Sequence, residues 1–221
     1  MKDKSLESME SFFDKRAESY ENHMFNNVEG TDLFYKETAK LIPAKDNIHI
    51  LDLGCGTGLE IDEIFKINKN VFITGIDLSS KMLDVLKEKN KENFERIKLI
   101  NASYFDVDFG INEFDVAVSV QTMHHFSKEQ KIILYSKIRA ALKPGGFYIE
   151  TDYTASNEDE ENKFVENLKL IRNEKEYIEG THHFDIPFTV NTQKKLFMRA
   201  GFKKVLHLSQ FANTSILVSY K

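Results

Sequence analysis

Short runs of apolar residues, rich in β-branched side chains, alternate with helical patterns over the first two thirds of the chain. Turn residues bound each run, as is typical of the buried strands of a parallel sheet. The alternation predicts an α/β fold, with a doubly wound sheet and helices on both faces. The five predicted strands cover residues 48–53, 71–76, 97–100, 116–120 and 147–149.

Serines mark the starts of two of the predicted helices. Ser79 or Ser80 can cap the helix that follows the second strand. Ser127 and Gln130 have the spacing of a capping box, which predicts a helix from there to about Leu142.

Two strand-like runs lie close together at the end of the chain. They cover residues 205–208 and 215–219, and only the turn 212–214 separates them. This connection permits only an antiparallel pair, because a parallel crossover needs about a dozen residues. We therefore predict a mostly parallel sheet with one antiparallel strand near its C-terminal edge.

Residues 1–30 lie before the first predicted strand and carry a stripe of apolar and aromatic side chains. Phe13, Ala17, Tyr20 and Met24 follow one another at steps of four, three and four, which predicts an amphipathic helix. A stripe of this kind is more often part of a core than of a substrate pocket.

The composition mainly excludes classes of protein. A 41% hydrophobic and 29% charged chain is globular rather than disordered. A net charge of −5 gives no basic face for nucleic acid, and a single cysteine excludes an internal disulfide. The sequence has no long apolar run, and its first ten residues have no apolar core. We expect neither a membrane segment nor a secretion signal, and hence a cytoplasmic protein.

The strongest candidate for chemistry is the glycine-rich turn after the first strand, LDLGCGTG at residues 51–58. Glycines let a backbone turn tightly and approach a ligand closely. The spacing is G-x-G-x-G, which disfavours the G-x-G-x-x-G motif of nicotinamide-dependent oxidoreductases. Asp77 ends the second strand, where a carboxylate can accept hydrogen bonds from both hydroxyls of a ribose. Without a ligand, the same features make a tight turn and a favourable helix N-terminus.

Taken together, these motifs resemble those of the class I S-adenosylmethionine (SAM)-dependent methyltransferases. The resemblance implies a Rossmann-like fold, SAM as cofactor and methyl transfer as the activity. It extends over roughly residues 10 to 221. The segments that carry it are FDKRAESY at 13–20, LDLGCGTG at 51–58, Asp77, Asn101-Ala102, FDVAVSVQTMHH at 114–125, LKPGG at 142–146 and AGF at 200–202.

The resemblance also implies which residues surround SAM. Asp77 would bind the ribose, Asn101 the adenine edge, and Tyr20 would fold over the methionyl carboxylate. The family more often has Asp where Asn101 stands, but an amide oxygen can accept the same hydrogen bond. The implied cofactor-binding residues are Tyr20, Gly54, Cys55, Gly56, Thr57, Gly58, Asp77, Leu78, Met82, Asn101, Ala102, Val120 and Gln121.

The sequence identifies no catalytic residue with certainty, since SAM is already electrophilic and the protein chiefly aligns the reactants. His125 and His183 are the candidate bases. The histidine pairs at 124–125 and 182–183 do not predict a metal site. Adjacent side chains are expected to point apart, and no C-x-x-C or H-E-x-x-H motif accompanies them.

The resemblance implies a lid helix at residues 1–30 and a SAM-binding domain at 31–221. A helical insertion at about 155–185 is expected to roof the acceptor pocket, because ligands of open α/β sheets bind at the carboxyl ends of the strands. The expected acceptor is a small, apolar or planar molecule. The alternative is a SAM-binding protein without transferase activity. The insertion carries Phe164, Leu168, Ile171, Tyr177, His182, His183 and Phe184.

Overall fold

The computed structural model describes residues 7–174 and 182–221. Within them, seven strands form a single sheet. The strands are β1 (His49–Leu53), β2 (Phe72–Asp77), β3 (Ile97–Asn101), β4 (Phe114–Val120), β5 (Leu142–Tyr153), β6 (Lys204–Phe211) and β7 (Thr214–Tyr220). Their order across the sheet is β3-β2-β1-β4-β5-β7-β6.

The direction of the strands confirms the predicted fold class. All pairs from β3 to β5 are parallel, whereas β7 is antiparallel to both of its neighbours, β5 and β6. Strand β7 is thus the one antiparallel strand, one place from the edge. The turn that reverses the chain is short, and Ala212 adopts a left-handed φ of 50° there.

Helices cover both faces of the sheet. The described helices are α1 (Met9–Asp14), α2 (Tyr20–Asn27), α3 (Thr31–Lys40), α4 (Leu59–Ile67), α5 (Ser80–Lys89), α6 (Lys128–Ala141), α7 (Glu158–Glu174) and α8 (Val190–Arg199). Helices α3, α4 and α5 pack on one face, and α6 and α8 pack on the other. Among the described helices, none is both long and apolar enough to cross a membrane.

The predicted helix starts agree with local hydrogen bonds. The Ser79 hydroxyl accepts from the Met82 amide at the start of α5. Ser127 and Gln130 form the reciprocal capping box of α6. These signals are readable because each depends on residues within one turn.

The N-terminal segment differs from the single helix that the sequence predicts. Its described part contains α1, a 3₁₀ turn (Ala17–Ser19) and α2. The Arg16 guanidinium donates to the Phe12 carbonyl at 2.7 Å and so satisfies a backbone group where α1 ends. The bend brings Phe13 and Tyr20 to the same cavity, with ring centroids 6.3 Å apart. Residues 1–6 lie outside the described part.

Strand β5 begins earlier than predicted. Leu142 pairs with Phe114, and an irregularity in register separates this pair from the regular ladder that begins at Phe147. The Lys143 ammonium contacts the Asp115 carboxylate at 2.7 Å and holds the two strands together across the irregular stretch.

The insertion after β5 contains α7, then an extended stretch at 182–189 that leads into α8. Leu168 of α7 is buried in the core, as the helical spacing predicts. Tyr177 lies outside the described residues.

Candidate functional site

The glycine loop between β1 and α4 lies at the carboxyl ends of the central strands. Gly54, Gly56 and Gly58 all have left-handed φ angles, of 78°, 47° and 82°. A side chain at Gly54 would collide with the Thr122 and Tyr104 hydroxyls, whereas a Cβ at Gly56 would meet only the Gly54 carbonyl, at an ordinary contact distance of 3.8 Å. The loop therefore leaves room for a ligand beside Gly56, which is what a backbone that approaches a cofactor requires.

The Asp77 carboxylate braces this loop from the end of β2. One oxygen accepts from the Gly56 amide at 2.9 Å, and the other accepts from the Ser79 amide at 2.8 Å. Burial raises the pKa of the Asp77 carboxyl to about 6. Each oxygen keeps a second lone pair, so the carboxylate can also accept from the hydroxyls of a ribose.

A cavity of about 610 Å³, counted into its open mouth, lies above this loop. Leu78 and Met82 supply an apolar wall near Asp77, and Phe126 lines the same cavity. We call this space the cofactor cavity, since it offers a carboxylate for a diol and apolar surface for a flat base.

Seven of the predicted cofactor-binding residues line this cavity. The others lie nearby but do not face it. Cys55 is buried against Gly75 of β2, and Val120 belongs to the core. The Asn101 amide donates to the carbonyls of Asp77 and Leu78. The lining residues are Tyr20, Gly54, Gly56, Asp77, Leu78, Met82 and Gln121, and the others are Cys55, Thr57, Gly58, Asn101, Ala102 and Val120.

Sequence reasoning missed several walls of the cofactor cavity. Ser103 and Tyr104 line it in place of the preceding Asn101-Ala102 pair. The Tyr104 and Thr122 hydroxyls are hydrogen-bonded at 3.0 Å. Ser103 and Tyr104 lie outside every motif, and their place in the site could not be read from the sequence because the loops after β3 and β4 converge only in the folded sheet. The other missed lining residues are Met9, Phe13 and Phe126. His125, which the sequence proposes only as a base, also lines the cofactor cavity.

Gln121, which lines the cofactor cavity, has an unusual backbone conformation. Its φ is 53°, which is uncommon for a residue with a side chain and is often found at functional sites. Its amide nitrogen donates to the Thr151 carbonyl, and its side chain donates to the Thr214 hydroxyl at 2.7 Å. Gln121 is thereby fixed between the cofactor cavity and the sheet.

Two buried carboxyl groups lie beneath the glycine loop. Asp52 and Glu60 are 0% and 3% exposed, and neither oxygen of Asp52 accepts a hydrogen bond from a described donor. Burial raises the pKa of Asp52 to about 8 and that of Glu60 well above its ordinary value. Burial and the repulsion between the two carboxylates favour a proton held between the two groups.

A second cavity of about 1120 Å³, counted into its open mouth, adjoins the first. Phe13, Tyr20, Gln121 and His125 line both cavities. The second cavity lies between the N-terminal segment, the loop after β4 and the stretch at 182–185. Its lining includes the aromatic side chains of Phe12 and Tyr153.

The polar end of the second cavity contains three histidines around one carboxylate. We call His124, His125, His183 and Asp185 the histidine cluster. One oxygen of Asp185 lies 3.2 Å from His125 Nδ1, 3.6 Å from His124 Nε2 and 3.8 Å from His183 Nε2. The expectation that adjacent histidines point apart is wrong for His124 and His125. Both lie on a 3₁₀ turn, and their ring centroids are only 4.0 Å apart.

The surroundings shift the pKa values of the three imidazoles in different directions. Burial lowers the pKa of His125, and burial together with the neighbouring His125 lowers that of His183 to about 4. Burial also acts to lower the pKa of His124, but the Asp152 carboxylate at 2.7 Å outweighs it and raises that pKa. The histidines hold the pKa of Asp185 well below its ordinary value despite its burial.

Backbone contacts fix the cluster from two sides. The Ile186 amide donates to the His124 carbonyl at 2.6 Å, and the His183 amide donates to the Glu7 carbonyl at 3.0 Å. Phe184, which the sequence places at the acceptor pocket, instead packs against the core on the α6 side. Asp185 lies at the cavity in its place. The only sequence signal for Asp185 is that an acidic residue follows His183 at a spacing of two.

Comparison with known proteins agrees with this geometry. Residues 50–146 match a family model described as a methyltransferase domain. The carboxy-S-adenosyl-L-methionine synthase of Campylobacter fetus subsp. fetus (strain 82-40) is 25% identical over 188 residues. That match covers 79% of this chain and 78% of the relative.

Solved structures share the fold. A protein of Nostoc punctiforme PCC 73102, assigned as an O-methyltransferase, has a TM-score of 0.73 and 23% identity. Human N-acetylserotonin methyltransferase in complex with SAM has a TM-score of 0.67 and 16% identity. The matches cover 100% and 96% of this chain, but the chain spans only 64% and 56% of those two proteins.

The fold, the cofactor cavity and the matched domain define an enzyme that uses SAM. The matched domain and the relatives support a class I SAM-dependent methyltransferase with SAM as its cofactor. The comparisons identify no methyl acceptor.

Proposed function

We propose that this enzyme transfers the methyl group of SAM to a small molecule bound in the second cavity. The shared wall of Phe13, Tyr20, Gln121 and His125 supports this most directly. Methyl transfer is an in-line displacement, so donor and acceptor need adjacent sites. A protein that only bound SAM would have no need of a second cavity that shares a wall with the first.

In this proposal the cofactor cavity orients SAM so that its methyl group faces the second cavity. Asp77 accepts from the ribose hydroxyls, Leu78 and Met82 contact the adenine, and Tyr20 closes over the methionyl end. The edge-to-face contact between the Phe13 and Tyr20 rings, with centroids 6.3 Å apart, supports the last role, because it holds the Tyr20 ring in place. Gly54 and Gly56 provide the close backbone approach.

The lining of the second cavity favours a planar acceptor. Phe12 and Tyr153 offer aromatic surface, while His125 and Asp185 offer polar atoms at one end. His125 and His183 are the candidate bases, since their lowered pKa values leave them neutral near pH 7. A base is needed only for a nucleophile that cannot lose its proton to water.

The relatives named as carboxy-SAM synthases suggest a second candidate, in which SAM itself gains a carboxylate. A cation would be expected to bind that group. Arg16 lines the second cavity, but its guanidinium already contacts the Phe12 carbonyl at 2.7 Å and the Glu7 carboxylate at 3.5 Å. This engagement favours methyl transfer as the main proposal.

Product analysis tests both candidates in one experiment. The purified chain is incubated with SAM and a panel of small aromatic hydroxy, amino and thiol compounds, and the products are measured by mass spectrometry. We expect S-adenosylhomocysteine together with a methylated acceptor. Carboxylated SAM would support the second candidate. SAM binding without either product across the panel and a metabolite extract would contradict transfer to a small molecule.

The His183→Ala variant tests the acceptor side separately. We expect it to lower transfer while SAM affinity stays nearly unchanged, because His183 lines only the second cavity. His207→Gln, on the edge strand β6, is the matched control and should behave as the wild type. Joint loss of SAM affinity and thermal stability in His183→Ala would indicate a structural role. A cytoplasmic location and the lack of a nucleic-acid partner stay predictions from the sequence.

A further inference from the structure

The histidine cluster has the donor set of a metal site. The candidate ligand atoms of His124, His125 and Asp185 all lie within 4.8 Å of one another. Two imidazoles and a carboxylate are a common ligand set for divalent zinc and iron. His183 Nε2, 3.8 Å from the same Asp185 oxygen, is available as a further ligand.

The spacing of these atoms suits an ion better than direct pairing. Tetrahedral zinc with bonds of about 2.0–2.1 Å places its ligand atoms about 3.3 Å apart. The measured distances from the Asp185 oxygen are 3.2 and 3.6 Å to His125 Nδ1 and His124 Nε2. Yet the buried His125 Nδ1 and this oxygen have no aligned hydrogen-bond partner among the described residues. Two unpartnered polar atoms thus face a common point.

The surroundings of His124 supply a second, independent indication. Its Nδ1 lies 2.7 Å from the carboxylate of Asp152, which is 1% exposed. Metal-binding histidines almost always donate their other ring N–H to such a carboxylate, which fixes the tautomer and the ring orientation. With Nδ1 as the donor, the lone pair is on Nε2, the atom that faces Asp185.

Packing also fixes the ring of His183. It stacks on Phe12, with ring centroids 3.5 Å apart and planes 9° apart. The N-terminal segment therefore holds this ring beside the cluster.

We propose that the histidine cluster binds one divalent transition-metal ion of the zinc class, with His124, His125 and Asp185 as ligands and His183 as a further ligand. Metal binding itself does not depend on the identity of the acceptor. Asp152 is a positioning residue, since it acts through His124.

The use of the ion in catalysis rests on the proposed function. His125 lines both cavities, so an ion there lies next to the path between donor and acceptor. A divalent ion lowers the pKa of a bound hydroxyl, which loses its proton to water. The resulting oxygen anion forms the new bond to the methyl carbon, and the C–S bond breaks with its electron pair on sulfur. The acceptor class is then a small phenol or enol.

Cobalt and zinc titrations test the binding. The tag-free full chain is stripped with a chelator, then titrated with Co²⁺ by visible absorption and with Zn²⁺ by calorimetry. We expect one ion to bind per chain. We also expect the visible absorption bands that Co²⁺ shows when few ligands surround it. His125→Gln and Asp185→Asn, which each remove a ligand, should weaken metal binding by about tenfold to a hundredfold. Asp152→Asn should weaken it by about tenfold. The control His207→Gln should bind as the wild type.

Wild-type protein without cobalt absorption or stoichiometric zinc binding would overturn the proposal, as would cluster variants that bind as tightly as the wild type. If the variants fail to fold, X-ray absorption spectroscopy of the zinc-loaded wild type tests the ligands directly. Imidazoles bound to zinc give a characteristic scattering pattern. A spectrum without this pattern would rule the site out. Assays with and without metal separate the two proposals. Full transfer by the stripped enzyme would remove the catalytic role of the ion and leave the proposed function intact.

Discussion

At the scale of single residues, the Asp77 carboxylate already accepts two backbone hydrogen bonds without a ligand. These bonds fix its oxygens at the mouth of the glycine loop. A fixed carboxylate needs little reorganisation to accept from a ribose, which makes it an effective cofactor-binding group.

The Asp77→Ala variant should lose SAM affinity by about tenfold to more than a hundredfold, since each hydrogen bond to a charged acceptor contributes about 1.5–3 kcal/mol. Calorimetric titration with SAM measures the change. Asp84→Ala, an exposed acid on α5, is the matched control. An unchanged dissociation constant in Asp77→Ala would contradict the ribose-binding role.

The buried pair of Asp52 and Glu60 predicts a pH dependence of stability. The Asp52 pKa rises to about 8 in the folded chain, against about 4 in the unfolded chain. A raised carboxyl pKa stabilises the fold fully below pH 4, and this contribution is lost as the pH rises through 8.

Glu60→Gln removes one of the two titratable carboxyl groups. We expect the stability of the wild type, relative to this variant, to fall as the pH rises from about 4 to 8. Chemical denaturation at several pH values measures the difference. A difference that stays constant over this range, or rises, would show that the two carboxyl groups do not share a proton.

At the scale of elements, polar contacts attach the N-terminal segment to the helices around the cofactor cavity. The Asp14 carboxylate accepts from the Ser79 hydroxyl at 2.6 Å. Lys89 of α5 bridges Glu21 of α2 and Asp62 of α4. These half-buried contacts hold the segment over the cavity.

If this segment is a lid, hydrogen exchange in residues 7–27 should slow when SAM is added. Asp14→Ala should speed exchange in the free protein and weaken SAM binding by a few fold, because it loosens α1 from α5. Exchange measured by mass spectrometry checks both effects, with Asp84→Ala as control. Equal exchange with and without SAM would mean that the segment only packs against the domain.

At the scale of the whole molecule, a buried polar network joins the sheet to the helices on one face. Glu150 of β5 accepts from Tyr135 of α6 at 2.6 Å, and from Gln193 of α8 at 2.8 Å. Tyr148 of β5 adds a third donor at 3.2 Å. Burial raises the pKa of Glu150 to about 7, while the buried Lys131 acts to lower it.

Glu150→Ala should lower the free energy of unfolding by about 3–5 kcal/mol, because it leaves three buried donors without their acceptor and removes a negative charge near the buried Lys131. Denaturant unfolding measures the loss. Glu150→Gln keeps the volume and one acceptor, so its loss should be smaller. A change below about 0.5 kcal/mol in Glu150→Ala, the size typical of surface sites, would show that the network contributes nothing.

The sequence alone determined the sheet and its cofactor side. Apolar runs, capping serines and the glycine loop each depend on neighbours within one element or turn, so their pattern is readable along the chain. The reversal at β7 was predictable because the loop before it is too short for a crossover. Asp77 could be placed beside the loop because adjacent parallel strands end at one edge of the sheet.

Only the tertiary structure decided the second cavity and the histidine cluster. His124 and His125 come from the loop after β4, while His183 and Asp185 come from a stretch about 60 residues later. No local pattern relates these two stretches, because the backbone bond between His124 and Ile186 and the contact with Glu7 bring them together. Long-range contacts of irregular backbone have no periodicity to read, and they formed the part of the site where the acceptor is proposed to bind.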